Sequence, residues 1–488
     1  MDQNSLISII FEIENDEKLL DYMTYDGAPI WMIGRYHLLY KIVGGRLLGY
    51  ESSNRDRKIS IKMMAHILKA AAYSLKNRNI NKGKKIFLYA TNRKTMIGGK
   101  YFNRYVDSLY SVYPDDSLVI EQSLLDWEWP FPRVYQAVYF DTIGRITGEI
   151  ESRLFYKKDY AEVYRMLVYF NSRLFAICGI KLGEDEIKAT AVYLSRLIVT
   201  TRFQSAWLQS KVTDQTGVVI MVGAGFPFYY FLNRMLKNKN IISVELQHGY
   251  ITKNNFMYNY ASKIAGDERV RNGLPEYILT YGSWWNEQMN CPMKKISIGN
   301  PYHEYCKEHI RRGKKDNNRI TIIGTGENTA SYIQLTEYLT TCFSDFCIKF
   351  RPHPGELSKV KDMVGNGREH IELDDGPEIY TTLSDTSIII GEVSTVLFEA
   401  IGIVNRIIVW NTAYAKAYLP DHPFECFSTY EELKDLIQKD QGIKYTDNEF
   451  WEKNWKEAYQ NFIKSLDGPK TAESWDTRPD TSKTGDMI

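Results

Sequence analysis

The sequence lacks several features that would assign a protein class at once. Its six cysteines include no Cys-x-x-Cys pair, so neither a zinc ribbon nor a redox pair is indicated. It has no run of about 18 uninterrupted apolar residues, and its first residues show neither the basic nor the apolar segment of a signal peptide. The formal net charge is only +1, so composition gives no indication of nucleic-acid binding. We therefore expect a cytoplasmic protein with reduced thiols, and leave open whether it lies at the inner face of the membrane.

Two further absences concern nucleotide hydrolysis and metal binding. The sequence contains no Gly-x-x-x-x-Gly-Lys-Ser/Thr motif, which excludes a P-loop NTPase. His303, Cys306 and His309 are spaced by threes, but no second pair nearby completes a zinc set, and a polar helix face explains the spacing. We therefore predict no metal site and no resident cofactor.

The organisation of the chain predicts an α/β protein. Hydrophobic residues make up 44% and charged residues 25%, as in ordinary globular proteins. Residues 1–80 are predicted to be a helical N-terminal region. Strand and helix signals then alternate over residues 81–310 and 311–466, which predicts two Rossmann-like domains facing each other across a cleft. Residues 467–488 are nearly free of aliphatic side chains and are predicted to form a disordered tail.

Polar clusters follow three of the predicted strands. One strand ends at Arg351, and prolines on both sides of His353 keep the following turn out of a helix. Another strand is followed by Ser394 and Thr395, and a third by His248. Ligands bind at the carboxyl ends of strands in open α/β sheets, so we predict that these three ends form one site.

The residue types around His353 suit a phosphate. An arginine offers a fork of donors that matches phosphate oxygens, and a glycine loop that opens a helix presents free N–H groups. Hydroxyl groups at a second helix start add further donors. The predicted phosphate-binding residues are Arg351, His353, Gly324, Thr325, Gly326, Ser394 and Thr395.

Other polar residues suggest further roles. His248 is a candidate general base because a neutral imidazole accepts a proton near pH 7; substrate positioning and a purely structural role are the alternatives. Glu399 is a candidate for binding ribose hydroxyls. Asp374-Asp375-Gly376 could hold a metal or a ribose, although acidic turns with glycine are common. The candidate acceptor-facing residues lie in the first predicted domain: Lys94, Lys100, Arg104, Asp107 and Glu121.

Four motifs occur in a fixed order along the chain. They lie at residues 246–249 (Leu-Gln-His-Gly), 298–301 (Ile-Gly-Asn-Pro), 351–354 (Arg-Pro-His-Pro) and 394–400 (Ser-Thr to Glu-Ala). In this combination the sequence resembles the C-terminal part of GT-B-fold bacterial capsule and surface-polysaccharide glycosyltransferases. These include polysialyltransferases, capsule Kdo transferases and teichoic-acid glycerophosphotransferases. The resemblance covers roughly a third of the chain and does not address the acceptor.

The resemblance implies a metal-independent, inverting transfer from a nucleotide-activated donor to a growing bacterial surface polysaccharide. It favours CMP- or CDP-linked over UDP-linked donors, and a glycan or lipid-linked glycan as acceptor. It also implies that His353, Ser394 and Thr395 hold the donor phosphate, and that His248 matches a proposed base of the glycerophosphotransferases. In the sialyltransferase-type relatives the base is a carboxylate in a motif that precedes the His-Pro motif. Here the acidic turn follows that motif, which puts a catalytic role for Asp374 in doubt.

Two other classes of function fit the same residues. A nucleotide-sugar epimerase of this architecture would turn over a UDP-sugar without any acceptor. A non-catalytic nucleotide- or glycan-binding protein would bind but never turn over. The oligomeric state cannot be predicted from the sequence.

Overall fold

The computed structural model describes most of the chain, in segments. The described residues are 4–48, 61–77, 80, 82–91, 93–122, 131–139, 141–310, 318–365, 368, 370–439, 445 and 449–466. The predicted disordered tail lies outside the described residues, as do residues 311–317, where we placed the boundary between the domains.

The first domain is built on a seven-stranded sheet whose strands all run parallel. In space the strands follow the order β5-β4-β1-β6-β7-β8-β9, and β2 and β3 form a separate antiparallel hairpin. The strands are β1 (Ile86–Ala90), β2 (Lys94–Ile97), β3 (Lys100–Asn103), β4 (Ser117–Glu121), β5 (Ala137–Val138), β6 (Val218–Val222), β7 (Ile242–Leu246), β8 (Tyr277–Thr280) and β9 (Lys294–Ser297). Strand β6 is buried along its whole length, which accounts for its continuous apolar sequence.

Helices precede this sheet in the chain, cover it and connect its strands. A π-helical segment, His37–Gly44, joins α2 to α3. The long helices α6 to α8 are inserted between β5 and β6. The helices are α1 (Asn4–Glu14), α2 (Ile30–Tyr36), α3 (Gly45–Leu48), α4 (Ile61–Lys76), α5 (Asp107–Tyr110), α6 (Asp141–Phe155), α7 (Lys157–Cys178), α8 (Glu184–Gln209), α9 (Tyr230–Asn238), α10 (Ser262–Ala265), α11 (Glu268–Arg271), α12 (Ser283–Glu287) and α13 (Pro301–His309).

The N-terminal helices belong to the core of the first domain. Glu14 on α1 and Arg35 on α2 form a fully buried ion pair. The Arg35 guanidinium also donates a hydrogen bond to the carbonyl of Asn259, at 2.8 Å, and contacts the ring of Tyr260. The predicted helical character of residues 1–80 is confirmed for the described part, and the buried pair shows that this region is packed against the domain rather than standing apart from it.

An antiparallel hairpin, which the alternation of strand and helix signals did not predict, follows β1. Gly98 and Gly99 both have positive φ, 55° and 77°, as a two-residue type I′ turn requires. This Gly-Gly turn joins β2 to β3 and leaves only the short helix α5 after the hairpin. We call residues 93–104 the flap.

The second domain has a six-stranded parallel sheet in the order β12-β11-β10-β13-β14-β15. Its strands are β10 (Arg319–Ile323), β11 (Cys347–Arg351), β12 (Glu372–Leu373), β13 (Ile388–Gly391), β14 (Arg406–Trp410) and β15 (Glu425–Phe427). Its helices, with the closing helix of the described chain, are α14 (Thr329–Cys342), α15 (Leu357–Val364), α16 (Ile379–Asp385), α17 (Thr395–Glu399), α18 (Ala413–Tyr418), α19 (Tyr430–Gln438) and α20 (Trp455–Leu466).

Helix α20 returns to the first domain. Its Tyr459 and Phe462 are buried in the same apolar cluster as Leu88 of β1 and Leu279 of β8. The prediction assigned all of residues 311–466 to the second domain, and the structure corrects it for this helix. An amphipathic helix is stabilised by whichever apolar surface it can cover, and that choice cannot be read from its own sequence.

Two parallel α/β sheets thus form two Rossmann-like domains, and the predicted α/β, GT-B-like fold class is confirmed. Residues that follow the carboxyl ends of strands in both domains line one cleft between them. This is where ligands bind in open α/β sheets.

Candidate active site

The cleft between the domains has a volume of about 400 Å³. The flap contributes one wall, and the loops after β10, β11 and β13 contribute the other. Six of the predicted site residues line it: Lys94, Arg104, Gly324, Arg351, His353 and Ser394. Of the three strand ends that were predicted to form one site, those after β11 and β13 line this cleft, whereas His248, after the third, does not; the role of each residue remains a prediction.

The His353 ring has a defined tautomer when it is neutral. Its Nδ1 accepts a hydrogen bond from the backbone N–H of Gly355, at 3.1 Å. A ring nitrogen that accepts must lack a proton, so the proton of the neutral ring is on Nε2. Gly326 packs against this ring: it has φ +90°, and a Cβ placed on it would lie 3.5 Å from His353 Cγ. The predicted glycine loop and the His-Pro turn are therefore in contact.

A buried glutamate, which the sequence did not suggest, joins this turn to the glycine loop. Glu356 Oε1 accepts a hydrogen bond from the backbone N–H of His353, at 3.1 Å, and its other oxygen accepts one from the Thr329 hydroxyl. A Cβ on Gly324 would lie only 3.0 Å from the same Oε1. Glu356 therefore fixes the backbone of His353 and leaves little room for a side chain at position 324.

The guanidinium of Arg351 is largely occupied within the second domain. Its Nη1 donates to Asp374 Oδ2 at 3.0 Å and to Thr382 Oγ1 at 2.9 Å, and Nη2 donates to the Gly376 carbonyl at 2.7 Å. Burial acts to raise the pKa of Asp374, but hydrogen bonds from Thr382 and Arg351 outweigh it and lower the pKa. The acidic turn and Thr382 thus hold Arg351 against the cleft wall, and these contacts use three of the five N–H donors of the guanidinium.

The two hydroxyls at the start of α17 have different partners. Ser394 caps the helix, and its Oγ accepts from the Val396 N–H at 3.2 Å. Thr395 Oγ1 accepts from the N–H of Tyr250, in the first domain, at 2.9 Å. Each hydroxyl keeps its own proton, which it can donate to a ligand.

His248 follows β7 in the loop of residues 247–250, which we call the His-Gly loop. Its side chain is 29% exposed, and its Nδ1 lies 3.4 Å from Glu245 Oε1. That separation permits ionic attraction, but the two groups are not aligned as a hydrogen bond. The Tyr105 hydroxyl donates to the backbone carbonyl of His248 at 3.0 Å. His248 is not among the residues that line the cleft; its neighbour Gly249 lies against α17, where a Cβ on Gly249 would lie 3.5 Å from Thr395 Oγ1.

Glu245 is the second residue that the sequence did not suggest. It is fully buried at the end of β7 and accepts hydrogen bonds from the N–H groups of Gly223 (3.0 Å) and Gly225 (2.6 Å) and from the hydroxyl of Tyr258 (3.1 Å). A carboxylate within an apolar strand, three residues before a histidine, was the available signal.

Glu399 lies in a cluster of charged groups that joins the two domains. Burial raises its pKa to about 7, against the opposing effect of the Arg104 charge. Arg104 forms an ion pair with Glu378 of the second domain, at 2.9 Å. The hydroxyls of Thr95 and Tyr302, also from the first domain, donate to the same oxygen of Glu378 at 3.1 and 2.6 Å. The predicted ribose contact of Glu399 remains a prediction.

The predicted acceptor-facing residues separate into two groups. Lys94 and Arg104 line the cleft, and Lys100 is exposed on the flap. Asp107 and Glu121 are instead fully buried and paired with Arg133, whose nitrogens lie 2.9 and 2.5 Å from them. The acceptor-facing prediction is wrong for these two, because each carboxylate has been taken out of solvent to balance a buried guanidinium.

No protein-family model matches the chain, and no curated protein matches its sequence. Among solved structures, it is similar to the wall teichoic acid polymerase TagF, with 12% identity and a TM-score of 0.38 over 83% of this chain and 93% of that one. It is also similar to S. aureus MnaA, solved with UDP (10% identity, TM-score 0.43, 78% of this chain and 96% of that one). A third is the UDP-GlcNAc 2-epimerase from Methanocaldococcus jannaschii (10% identity, TM-score 0.39, 79% and 100%).

The described residues contain no cluster of three or more His, Cys, Asp or Glu side chains that could hold a metal ion. In the same part of the chain, no helix combines the length and the apolar character needed to cross a bilayer.

Proposed function

We propose that this protein is a glycosyltransferase that moves a sugar, or a sugar-like group, from a nucleotide-activated donor to a growing bacterial surface polysaccharide. The observation that supports this most is the hydrogen bond from Tyr250 to Thr395. It places the histidine loop of one domain against the predicted phosphate-binding helix of the other. Group transfer needs a base and a leaving-group site close together, and this contact joins the segments that carry the two proposed sites.

On the donor side, we assign His353 to the phosphate of the leaving nucleotide. Its Nδ1 is already used by Gly355, so its Nε2–H is the atom that donates. The Ser394 and Thr395 hydroxyls and the glycine loop that precedes α14 supply further donors. Such fixed donors stabilise the negative charge that develops as the bond between sugar and phosphate breaks, and no metal is required. Arg351 contributes with the donors that the acidic turn leaves free.

On the acceptor side, we assign His248 as the general base. An acceptor hydroxyl attacks the anomeric carbon on the face opposite the phosphate, the new C–O bond forms as the bond to phosphate breaks, and the configuration inverts. The hydroxyl proton passes to the imidazole of His248, and the nucleotide leaves with the bonding electron pair. Lys94 and Arg104 lie on the flap side of the cleft and are assigned to the acceptor or to the outer part of the donor.

The remaining assignments belong to the same proposal. The donor is CMP- or CDP-linked, Glu399 contacts its ribose, the acceptor is a glycan or a lipid-linked glycan, and no resident cofactor takes part. The enzyme works in the cytoplasm, where it can meet a lipid-linked acceptor at the inner face of the membrane.

The test separates nucleotide binding from transfer. Thermal shift with CMP, CDP, UDP and GDP identifies the nucleotide, because a ligand that binds only the folded state raises apparent stability. With that donor, His353→Ala should weaken nucleotide binding and abolish transfer, whereas His248→Ala should abolish transfer with nearly unchanged binding. His309→Ala, at an exposed position on α13, is the matched control and should change neither. Equal loss of nucleotide binding in the first two variants would contradict this division of roles.

A nucleotide-sugar epimerase is the second candidate, and Glu399 is the observation that favours it. A carboxyl group with a pKa of about 7 can exchange protons with a sugar carbon near neutral pH. Incubation with UDP-sugars in deuterated water, without an acceptor, distinguishes an epimerase from a glycosyltransferase. Incorporation of deuterium at a sugar carbon supports an epimerase, and its absence together with acceptor-dependent release of nucleotide supports transfer.

A further inference from the structure

The buried carboxylate of Glu245 accepts three hydrogen bonds. Two come from the backbone N–H groups of Gly223 and Gly225 in one loop, and the third comes from the hydroxyl of Tyr258. Donors of this kind compensate a carboxylate for its removal from water. The protein therefore holds a carboxylate, with its charge balanced by three donors, directly behind the His-Gly loop.

The imidazole of His248 is confined next to that charge. Its Nδ1 lies 3.4 Å from Glu245 Oε1, while the rings of Phe226 and Tyr105 pack beside it with centroids 5.7 and 6.4 Å away. The backbone of His248 is held as well, by the Tyr105 hydroxyl on its carbonyl. The side of the ring that carries Nδ1 therefore faces the carboxylate, and Nε2 is on the opposite side.

We propose that Glu245 is a positioning residue for the acid–base chemistry of His248. It selects the tautomer with the proton on Nδ1, which leaves the Nε2 lone pair to accept a proton. When Nε2 takes the proton of the acceptor hydroxyl, the ring becomes an imidazolium with a carboxylate next to Nδ1, and Glu245 stays ionised throughout. This inference rests on the proposed role of His248 as the base.

Other ionisable groups near the ring are few and can be separated from Glu245. Tyr105 packs against the ring from the end of the flap, and Tyr258 lies behind Glu245. Charges on Arg93, Arg104 and Glu399 act on Tyr105, one residue further away. Of the groups named here, only Glu245 offers an acceptor to Nδ1. Replacing Glu245 should therefore change the tautomer of His248, whereas replacing Arg93, Arg104 or Glu399 should not.

The first measurement needs no variant. In the full chain labelled with ¹⁵N-histidine, NMR at a pH where His248 is neutral distinguishes a protonated Nδ1 from a protonated Nε2. The His248→Ala spectrum assigns the signals. We expect the proton on Nδ1 in the wild-type protein and a mixture of tautomers in Glu245→Gln. A wild-type ring with its proton on Nε2 would overturn the proposal regardless of what the enzyme does.

The second measurement uses transfer kinetics. Glu245→Gln should lower kcat about 10- to 100-fold and leave nucleotide affinity within about 2-fold. Glu431→Gln, exposed on α19, should leave both unchanged. A Glu245→Gln enzyme with wild-type kcat would refute the inference. If Glu245→Gln does not fold, as judged by circular dichroism and nucleotide-induced thermal shift, Tyr258→Phe replaces it, with a smaller loss of kcat expected in the same direction.

The proposed role of His248 as the base and the proposed positioning role of Glu245 can fail separately. If His248→Ala retains transfer, His248 is not the base, and the proposed mechanism fails even where the tautomer is as expected. If His248→Ala is inactive but Glu245→Gln is unaffected, only the positioning role fails.

Discussion

The side-chain oxygen of Thr395 accepts a hydrogen bond from the backbone nitrogen of Tyr250, at 2.9 Å, across the boundary between the two domains. Thr395 opens α17 in the second domain, and Tyr250 follows the histidine of the His-Gly loop in the first. The contact joins the His-Gly loop directly to the start of the helix that carries the predicted phosphate-binding hydroxyls.

Replacing Thr395 tests whether this contact aligns the two walls. Thr395→Val keeps the shape of the side chain but leaves the Tyr250 N–H without its acceptor, whereas Thr395→Ser keeps the hydroxyl. A hydrogen bond of this kind contributes about 1 kcal/mol, so we expect kcat to fall about 5- to 10-fold in the valine variant and to stay near wild type in the serine variant. Transfer assays at saturating donor provide the measurement. Similar losses in both variants would point to the β-carbon shape instead of the hydroxyl.

Arg133 balances two buried carboxylates, and its removal should destabilise the first domain. In Arg133→Met, Asp107 and Glu121 would remain buried without their partner, which costs about 3 to 5 kcal/mol of the free energy of unfolding. Urea denaturation followed by tryptophan fluorescence measures the change. Arg153→Met removes an exposed i,i+4 pair with Glu149 and should shift the transition by less than about 0.5 kcal/mol.

The near-neutral pKa of Glu399 predicts a pH dependence of stability. Its pKa is about 7 in the folded protein and 4.5 ordinarily, so the folded state binds more protons between these values. The contribution of Glu399 is therefore complete below pH 4.5 and is lost as pH rises through about 7. Glu399→Gln imitates the protonated carboxyl, and its Tm relative to wild type should increase between pH 5 and 8. A Tm difference that is constant over this range would contradict the assignment.

The ion pair between Arg104 and Glu378 should help to hold the cleft closed. Both side chains are about one-quarter exposed, and Glu378 also accepts from Thr95 and Tyr302 of the first domain. A double-mutant cycle with Arg104→Met and Glu378→Gln should give a coupling energy of about 0.5 to 1 kcal/mol in Tm-derived stability. High salt should reduce the coupling, because the pair is partly screened. Independent, additive effects would show that the pair does not join the domains energetically.

The sequence predicted those parts of the fold that depend on local pattern. Apolar runs ending in polar residues located β7, β11 and β13; the ends of β11 and β13 line one cleft, and the loop after β7 contacts α17 through the Tyr250–Thr395 hydrogen bond. The flap was not predicted, although two adjacent glycines between alternating residues are a hairpin signal. The destination of α20 could not be predicted, because several surfaces could have covered its apolar stripe.

The site was predicted less completely than the fold, for a physical reason. Exposed donors such as His353 can be recognised from their type and position. The buried carboxylates Glu245 and Glu356 are identified mainly by the donors that lie within about 3.1 Å of them, and those contacts depend on tertiary structure. The same limit explains the error at Asp107: a carboxylate near a strand end is either in solvent or buried against a cation, and only the position of Arg133 decides between these states.

The return of α20 to the first domain gives the molecule two covalent connections between its halves, one between Ile310 and Asn318 and one between Lys439 and Trp455. Loss of the last described helix by proteolysis or a premature stop would therefore have a non-local effect. It would expose the apolar face of the first sheet, 150 or more residues away in sequence, while leaving the second sheet intact.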